Sequence, residues 1–446
     1  MGNFLGSPVT DKETHEGETK EYKYGLSSMQ GWRVHMEDAH IAETTVYYLA
    51  DDDGNNNKKV TIPNHGIFAV FDGHGGTFAA KYSGRNFCRV LSKQSKWQEY
   101  ATLLEASTSE TEKGKVESTR RMLLDCLEQA LKDAFVELDQ EIGLATEGTP
   151  VDDADTPYHD EAPPPKPNAN DGDEDGGDDD KSSDEKDVMM QAAAEHVNTL
   201  NEHDNQNQAL APEDPSDDSG TTACVVLITP DHLVCANAGD SRAVYSKNGN
   251  KAIPLSYDHK PDDEGEERRI REGGGYVAGG RVEGDLAVSR GLGDFRFKNM
   301  PTVLAGNSNK NNSDTEDEPQ PVQTMLPKDQ KVSPVPDVIV QNRNPDQDEF
   351  IIVACDGIWD VRSNQECVME VAEMLEEGES NVGLMAEEVL DRCLELRSKD
   401  NMTAVIVLFP LQKIGEGGGV GARREERAKE LEAEREQSKN VPRSTL

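Results

Sequence analysis

Three apolar segments of this chain each end in a glycine and an aspartate, and this repetition strongly constrains the fold. The segments are Ile67–Phe71 before Asp72-Gly73, Ile351–Cys355 before Asp356-Gly357, and Cys235–Ala238 before Gly239-Asp240. A single Asp-Gly pair after a strand usually marks a turn. Three in one chain place several carboxylates at the edge of a core, where desolvation disfavours their charged form.

Short apolar runs rich in β-branched and aromatic residues predict strands, and longer segments with helical spacing lie between them. The predicted strands are Gly66–Phe71, Thr221–Thr229, His232–Ala236, Phe350–Cys355 and Met402–Phe409. Helical spacing is clearest over Ser118–Ile142 and Asn364–Leu396. We therefore predict an α-and-β protein with substantial sheet.

Composition divides the 446 residues into a folded part and polar additions. Residues 144–218 contain the acidic run Asp171–Asp180 and almost no aromatic side chains, which predicts a disordered insertion. Residues 306–333 are expected to form a long loop. We expect an N-terminal tail over 1–21 and a charged C-terminal tail over 411–446. In that tail i, i+4 pairs such as Glu425/Lys429 predict a solvated helix over Ala422–Glu436.

The net charge of −41 disfavours nucleic-acid binding through a basic patch. The seven cysteines include no Cys-x-x-Cys pair, which favours free, buried thiols in a reducing compartment. The sequence contains no run of 18 apolar residues and no signal-peptide segment. These features predict a soluble protein that is cytoplasmic, nuclear or both.

Further carboxylates accompany the strand ends. Glu37 and Asp38 stand beside an apolar stretch, and Asp400 closely precedes the last predicted strand. A shared cation would neutralise carboxylates packed at the edge of a core. Because the candidate ligands are oxygen atoms, they suit Mg²⁺ or Mn²⁺. Two such ions could activate a water and stabilise the oxygens of a displacement at phosphorus, so phosphoester hydrolysis is the expected reaction.

These residues lie in motifs that resemble, in order, those of the metal-dependent serine/threonine protein phosphatases of type 2C. The resemblance covers about 22–143, 219–304 and 335–409. The matching motifs are Tyr24–Arg33, Met36–His40, Phe71–Gly76, Ser219–Ala223, Asn237–Arg242, Asp285–Asp294, Ala354–Val361 and Asp400–Ala404. The resemblance implies one catalytic domain over 22–410, of class α+β, with a central antiparallel β-sandwich flanked by helices in four layers, α/β/β/α.

The resemblance also implies the ligands of two metal ions. Asp72 would bridge the ions, Asp356 and Asp400 would complete one site, and Glu37 with the carbonyl of Gly73 would hold the other. Asp38 would act through a bound water. A third, weaker site would use Asp240, Asp356 and Asp360, although the first and last of these could equally be turn or helix-cap residues.

Two residues are implied to handle the substrate. Arg33 would bind the substrate phosphate, since a guanidinium matches two phosphate oxygens. It could instead pair with Glu37 or Asp38. His74 titrates near neutrality and would protonate the leaving serine or threonine oxygen. Of the two other nearby histidines, His35 is expected to be exposed and His40 to be packed.

The expected partners are phosphoprotein substrates, and the expected state is a monomer. One alternative is a catalytically weak, phosphatase-like regulator that binds phosphoproteins. A second is a two-metal nuclease or phosphodiesterase, which the net charge disfavours. Gly2 offers a myristoylation site, although Gly6 stands where serine or threonine is preferred. One acyl chain without a polybasic patch would give weak, reversible membrane contact.

Overall fold

The computed structural model describes residues 4–50, 58–107, 113–146, 218–298 and 325–439. Most of the predicted acidic insertion and residues 306–324 of the predicted loop therefore lie outside the described residues. The strands pair into two large antiparallel sheets and three small ones. Within the described residues no helix is both long and apolar enough to cross a membrane.

The larger sheet has six strands, numbered here in chain order. In spatial order they are β1 (Phe4–Glu18), β2 (Lys23–Arg33), β18 (Met402–Leu408), β17 (Asp348–Ala354), β11 (Arg242–Lys247) and β12 (Lys251–Pro254). Strands from both ends of the chain are neighbours, because β2 pairs with β18. The sheet can therefore form only when residues separated by almost the whole chain come together.

The second large sheet has five strands. In spatial order they are β16 (Asp337–Asn342), β10 (His232–Ala238), β9 (Ala223–Ile228), β6 (Gly66–Phe71) and β3 (Ala39–Glu43). A small sheet joins β7 (Gly73–His74), β8 (Gly220–Thr221) and β15 (Leu292–Gly293). Two hairpins pair β4 (Val46–Ala50) with β5 (Lys58–Ile62), and β13 (Val277–Ala278) with β14 (Arg281–Val282).

Eight helices accompany the sheets in the described part of the chain. They are α1 (Phe78–Lys93), α2 (Ser95–Ser107), α3 (Lys113–Thr146), α4 (Glu264–Glu272), α5 (Asp356–Trp359), α6 (Asn364–Glu376), α7 (Val382–Glu395) and α8 (Gly419–Lys439). Two 3₁₀ turns cover Phe295–Phe297 and Pro327–Asp329. The predicted helical segment Asn364–Leu396 is two helices, because Gly378 adopts a φ of +94° between α6 and α7.

Strand β6 shows how the core is divided. Ile67, Ala69 and Phe71 pack in a cluster with side chains of α1, α2 and α3. The alternate residues Phe68 and Val70 pack in a second cluster with side chains of the six-stranded sheet. This alternation follows from the two-residue period of a strand. Because both faces are covered, every residue of β6 is buried.

A third cluster joins the other face of the six-stranded sheet to helices α6 and α7. The predicted α+β class and the antiparallel sheets are confirmed. The predicted order of four layers remains our interpretation of these three clusters.

The predicted N-terminal tail is wrong for residues 4–18, which form β1 along the outer edge of the six-stranded sheet. This strand pairs with β2, and Lys12 makes an ion pair of 2.6 Å with Asp391. Thr14 donates a hydrogen bond of 3.1 Å to Glu387. Its residues are exposed or half-buried, so the sequence lacks the apolar alternation that would have predicted a strand.

The C-terminal tail contains the predicted helix, but this helix is docked on the domain along one side instead of being surrounded by solvent. Helix α8 packs on α6 and α7, and Val420 is fully buried in their cluster. Arg427 makes an ion pair of 2.7 Å with the buried Glu388, and Arg423 pairs with Glu377. The i, i+4 pairs within the segment indicated a helix, but they could not show acidic partners on other helices. The predicted pair Glu425–Lys429 is present and exposed, with its charged atoms 3.7 Å apart.

Part of the predicted loop 306–333 is packed rather than irregular. Val332 is fully buried with Ile270, Val282 and Phe297 in a small separate cluster. This cluster joins α4, the β13–β14 hairpin and the segment that returns to β16. Val332 is flanked by polar residues in the sequence, so no hydrophobic periodicity predicted that it would be packed.

We predict that Gly25→Ala destabilises the fold. Gly25 is a buried residue of β2, and a Cβ there would overlap backbone atoms of Val382 and Gly383 at the start of α7. The expected loss in the free energy of unfolding is about 3 kcal/mol, because the backbone of a neighbouring helix must move. Urea denaturation measures it.

Gly265→Ala is the matched control. A Cβ at Gly265 would meet no atom within 4 Å, and the residue lies in α4. This change should raise the free energy of unfolding by about 0.5 kcal/mol. Equal stability of the two variants would contradict the packing of β2 against α7.

Candidate active site

The carboxylates at the three strand ends lie where the two large sheets meet. Asp72 follows β6 and Asp240 follows β10, both in the five-stranded sheet. Asp356 follows β17 of the six-stranded sheet and is the first residue of α5. Asp400 lies two residues before β18 of the same sheet. The sandwich therefore brings together residues that are far apart in the sequence.

The pKa values show how closely these groups approach. Burial, followed by the charge of Asp356, raises the pKa of Asp72 well above its ordinary value. Burial, followed by the charges of Asp240 and Asp400, does the same for the pKa of Asp356, which also hydrogen-bonds to Asp72. On Asp72 desolvation and like charge therefore act in the same direction, whereas on Asp356 the hydrogen bond with Asp72 partly opposes them.

Asp38 is the most enclosed member of the Glu37-Asp38 pair. Its side chain is buried, and its Oδ2 atom accepts a hydrogen bond of 2.7 Å from the hydroxyl of Thr403. Its Oδ1 atom is buried and has no hydrogen-bond partner. Burial raises the pKa of Asp38 to about 7. A buried carboxylate oxygen without a partner is an atom that a cation or a hydrogen-bond donor would stabilise.

Glu37 and Gly73 are held together by close backbone packing. The Glu37 N–H donates a hydrogen bond of 3.0 Å to the side chain of Asn401. Its carboxylate accepts another of 3.0 Å from the N–H of Gly76. A Cβ at position 73 would overlap the Glu37 carbonyl oxygen, so only glycine fits there.

Arg33 forms an ion pair with Asp400, in which Nη2 lies 2.5 Å from Oδ2. The alternative partners predicted from the sequence were Glu37 and Asp38, and the observed partner is different. The Nε atom of Arg33 is buried without a hydrogen-bond partner. One N–H of the guanidinium is thus available to another acceptor.

Asp240 and Asp360 occupy different environments. Asp240 is buried and pairs with Lys260, a residue that the sequence analysis did not select. Asp360 ends α5, and its backbone N–H donates to the Asp356 carbonyl, as a helix-cap residue would. Burial, opposed by Lys260, raises the pKa of Asp360. Both residues lie close enough to Asp356 to raise its pKa.

Two positively charged side chains lie among these carboxylates. Arg33 pairs with Asp400 and Lys260 pairs with Asp240, so two of the candidate ligands already have a positive partner. Within the described residues, no three of these carboxylates place ligand atoms within 4.8 Å of one another. The set is therefore wider than the ligand shell of a single ion.

His74 is positioned by a residue that the sequence analysis quoted in a motif without giving it a role. Its Nε2 atom lies 2.9 Å from Oδ2 of Asp294, which is almost fully buried. Burial favours the neutral ring, but the charge and hydrogen bond of Asp294 raise the pKa of His74 above its ordinary value. A Cβ at Gly220 would overlap both side chains, so this glycine leaves room for the pair.

Sequence reasoning missed three positioning residues, namely Lys260, Asp294 and Thr403. Each contacts a predicted site residue from a distant part of the chain. For Asp294 and Thr403 the sequence did offer an indication, because they lie inside the quoted motifs Asp285–Asp294 and Asp400–Ala404. His35 is exposed, as predicted, and His40 is half-buried.

Comparison with known proteins agrees with this geometry. The family model described as protein phosphatase 2C matches residues 22–149 and 170–402. The chain belongs to the protein phosphatase 2C family. It is 34% identical over 414 residues to a probable protein phosphatase 2C of Caenorhabditis elegans, covering 91% of this chain and 80% of the relative. Identity to protein phosphatase 2C homolog 3 of Schizosaccharomyces pombe is 32%, covering 91% and 69%.

Solved structures support the fold. A serine-threonine phosphatase 2C from Toxoplasma gondii aligns with a TM-score of 0.53 and 20% identity, covering 89% of this chain and 99% of that one. A second phosphatase from a pathogenic strain of Toxoplasma gondii also gives a TM-score of 0.53, at 18% identity, covering 91% and 97%. Membership of this family identifies the chain as a serine/threonine protein phosphatase.

Proposed function

We propose that the chain hydrolyses phosphoserine and phosphothreonine in proteins with two Mg²⁺ or Mn²⁺ ions held by the clustered carboxylates. The observation that carries this proposal is the hydrogen-bonded pair Asp72 and Asp356, two half-buried carboxylates whose pKa values are both raised by desolvation and by the charges of nearby carboxylates. Without cations such a pair is unfavourable in the charged form. Bound cations would remove that repulsion.

The residues fit hard cations. The candidate ligands are carboxylates and the carbonyl of Gly73, and oxygen atoms are what Mg²⁺ and Mn²⁺ prefer. The buried Oδ1 atom of Asp38 has no hydrogen-bond partner, so a cation or a further hydrogen-bond donor would stabilise it. When bound, two such ions neutralise charge on phosphoryl oxygens and make a water more acidic.

The ligand roles are those that the resemblance to the phosphatase family implies. Asp72, which follows β6, would contact both ions. Asp356 and Asp400, from the six-stranded sheet, would complete one site. Glu37 and the Gly73 carbonyl would hold the other.

Three further carboxylates have weaker roles in this proposal. Asp38 would act through a water, because Thr403 already occupies one of its oxygens. Asp240 and Asp360 would share a third ion with Asp356. That third ion must compete with Lys260 for Asp240, so we expect it to bind more weakly than the other two.

Arg33 would bind the substrate phosphate. Its unpartnered Nε atom and its partial exposure leave the guanidinium able to contact a phosphate beside Asp400. If cations neutralise Asp400, the Arg33–Asp400 ion pair weakens and the guanidinium is released towards the phosphate.

His74 would donate a proton to the leaving oxygen. The carboxylate of Asp294 favours the protonated ring and fixes its orientation. A serine or threonine oxygen is a poor leaving group as an alkoxide, so a proton delivered to it lowers the barrier.

A phosphoprotein-binding regulator with weak catalysis is the second candidate. Its case rests on Arg33 and Lys260, which already neutralise Asp400 and Asp240 in part. The presence of the other proposed metal ligands favours a catalytic phosphatase over a regulator that only binds phosphoproteins. We further propose a monomer that acts on phosphoproteins in the cytoplasm or nucleus, with at most weak membrane contact through an N-myristoyl group.

We predict that hydrolysis of a phosphothreonine peptide requires Mg²⁺ or Mn²⁺ and stops when the ions are chelated. Asp72→Asn, Asp356→Asn and Asp400→Asn should each lower kcat/KM at least about 100-fold, because each removes a charged ligand. Phosphate release measures the rate.

Asp346→Asn is the matched control, since Asp346 is exposed and precedes β17, whereas the proposed ligand Asp356 follows the other end of that strand. It should retain full activity. Undiminished turnover after chelation, or in Asp356→Asn, would contradict the mechanism. Phosphopeptide binding without measurable turnover in the wild-type protein would favour the regulator.

A second prediction concerns His74. Gly220→Ala should displace the His74–Asp294 pair and lower kcat on a phosphothreonine peptide about 100-fold. The loss should be much smaller on an aryl phosphate, whose leaving group needs no proton. Gly265→Ala controls for a glycine substitution away from the site. Equal losses on the two substrates would argue against proton donation by His74.

A further inference from the structure

Two histidines and a glutamate form a compact group outside the active site. Glu13 and His15 are two residues apart on β1, so their side chains project from the same face of that strand. His40 comes from β3. Strands β1 and β3 are the outermost strands of the two large sheets. The group therefore links the edges of the two halves of the sandwich.

The three side chains already lie close together. The Nε2 atom of His15 is 3.0 Å from Oε1 of Glu13. The rings of His15 and His40 have centroids 5.9 Å apart and planes inclined at 47°. Each residue offers one ligand atom, and these atoms all lie within 4.8 Å of one another. In the described part of the chain this is the one group of three metal-ligating side chains that meets that distance.

We propose that Glu13, His15 and His40 bind a divalent transition-metal ion such as Zn²⁺. Two imidazoles and one carboxylate are ligands that Zn²⁺ uses with an open fourth position. Mg²⁺ and Mn²⁺ prefer oxygen ligands, so the chemistry of this group separates it from the carboxylates of the active site. Small side-chain rotations would bring the ligand atoms to Zn²⁺ distance, because Glu13 and His15 are exposed.

A metal at this position would fasten β1 to the sandwich. Strand β1 is held mainly at one edge by its pairing with β2, and its side chains are exposed or half-buried. Its first residue, Phe4, is opposite Arg33 in the strand register. Ordering β1 would therefore also order the chain beside the proposed phosphate-binding residue.

The test is Zn²⁺ binding to the full-length protein, measured by isothermal titration calorimetry in excess Mg²⁺. We compare the wild type with His15→Gln, which removes an exposed ligand and should leave the fold and the Mg²⁺-dependent activity intact. His35→Gln is the matched control, because His35 is another exposed histidine outside the group. Asp356→Asn reports binding at the active site.

We expect one Zn²⁺ per chain in the wild type, in His35→Gln and in Asp356→Asn, with about 100-fold weaker binding in His15→Gln. Hydrogen exchange should slow over residues 4–18 when Zn²⁺ is added to the wild type, and should not change in His15→Gln. Unchanged affinity in His15→Gln would overturn the proposal. Loss of the Zn²⁺ site in Asp356→Asn would assign the binding to the active site and would also overturn it.

Discussion

The crowding of carboxylates around Asp72 and Asp356 is the constraint on which the rest of the site depends. Both carboxylates are delivered by buried strands, one from each large sheet, so neither can withdraw without unpacking the core. Their pKa values rise because burial and like charge both favour the protonated form. This fold therefore strongly favours the binding of cations where its two large sheets meet.

Two cationic side chains partly satisfy that preference. Arg33 pairs with Asp400, and Lys260 pairs with Asp240. We infer that both ion pairs must loosen when metal ions bind. The same exchange would free Arg33 for the substrate phosphate, which links metal binding to substrate binding through Asp400.

The sequence predicted the parts of the fold that have a local signal. Strand β6 and residues Phe350–Ala354 of β17 are continuous apolar runs, and the carboxylates that follow them were predicted to form a site. Strand β1 was not predicted, and helix α8 was predicted without its contacts to other helices, because these contacts are largely polar and lie on distant elements. The His74–Asp294 pair spans 220 residues, a separation over which no periodic pattern acts. Only the folded chain shows which of the many acidic residues reach the site.

The most direct test of this account counts the metal ions that the central pair holds. Equilibrium dialysis with Mn²⁺ measures both their number and their affinity in the wild type and in Asp72→Asn. The account predicts two tightly bound ions per chain in the wild type and loss of tight binding at both positions in the variant, because Asp72 would contact both. Two ions bound with unchanged affinity in Asp72→Asn would contradict it.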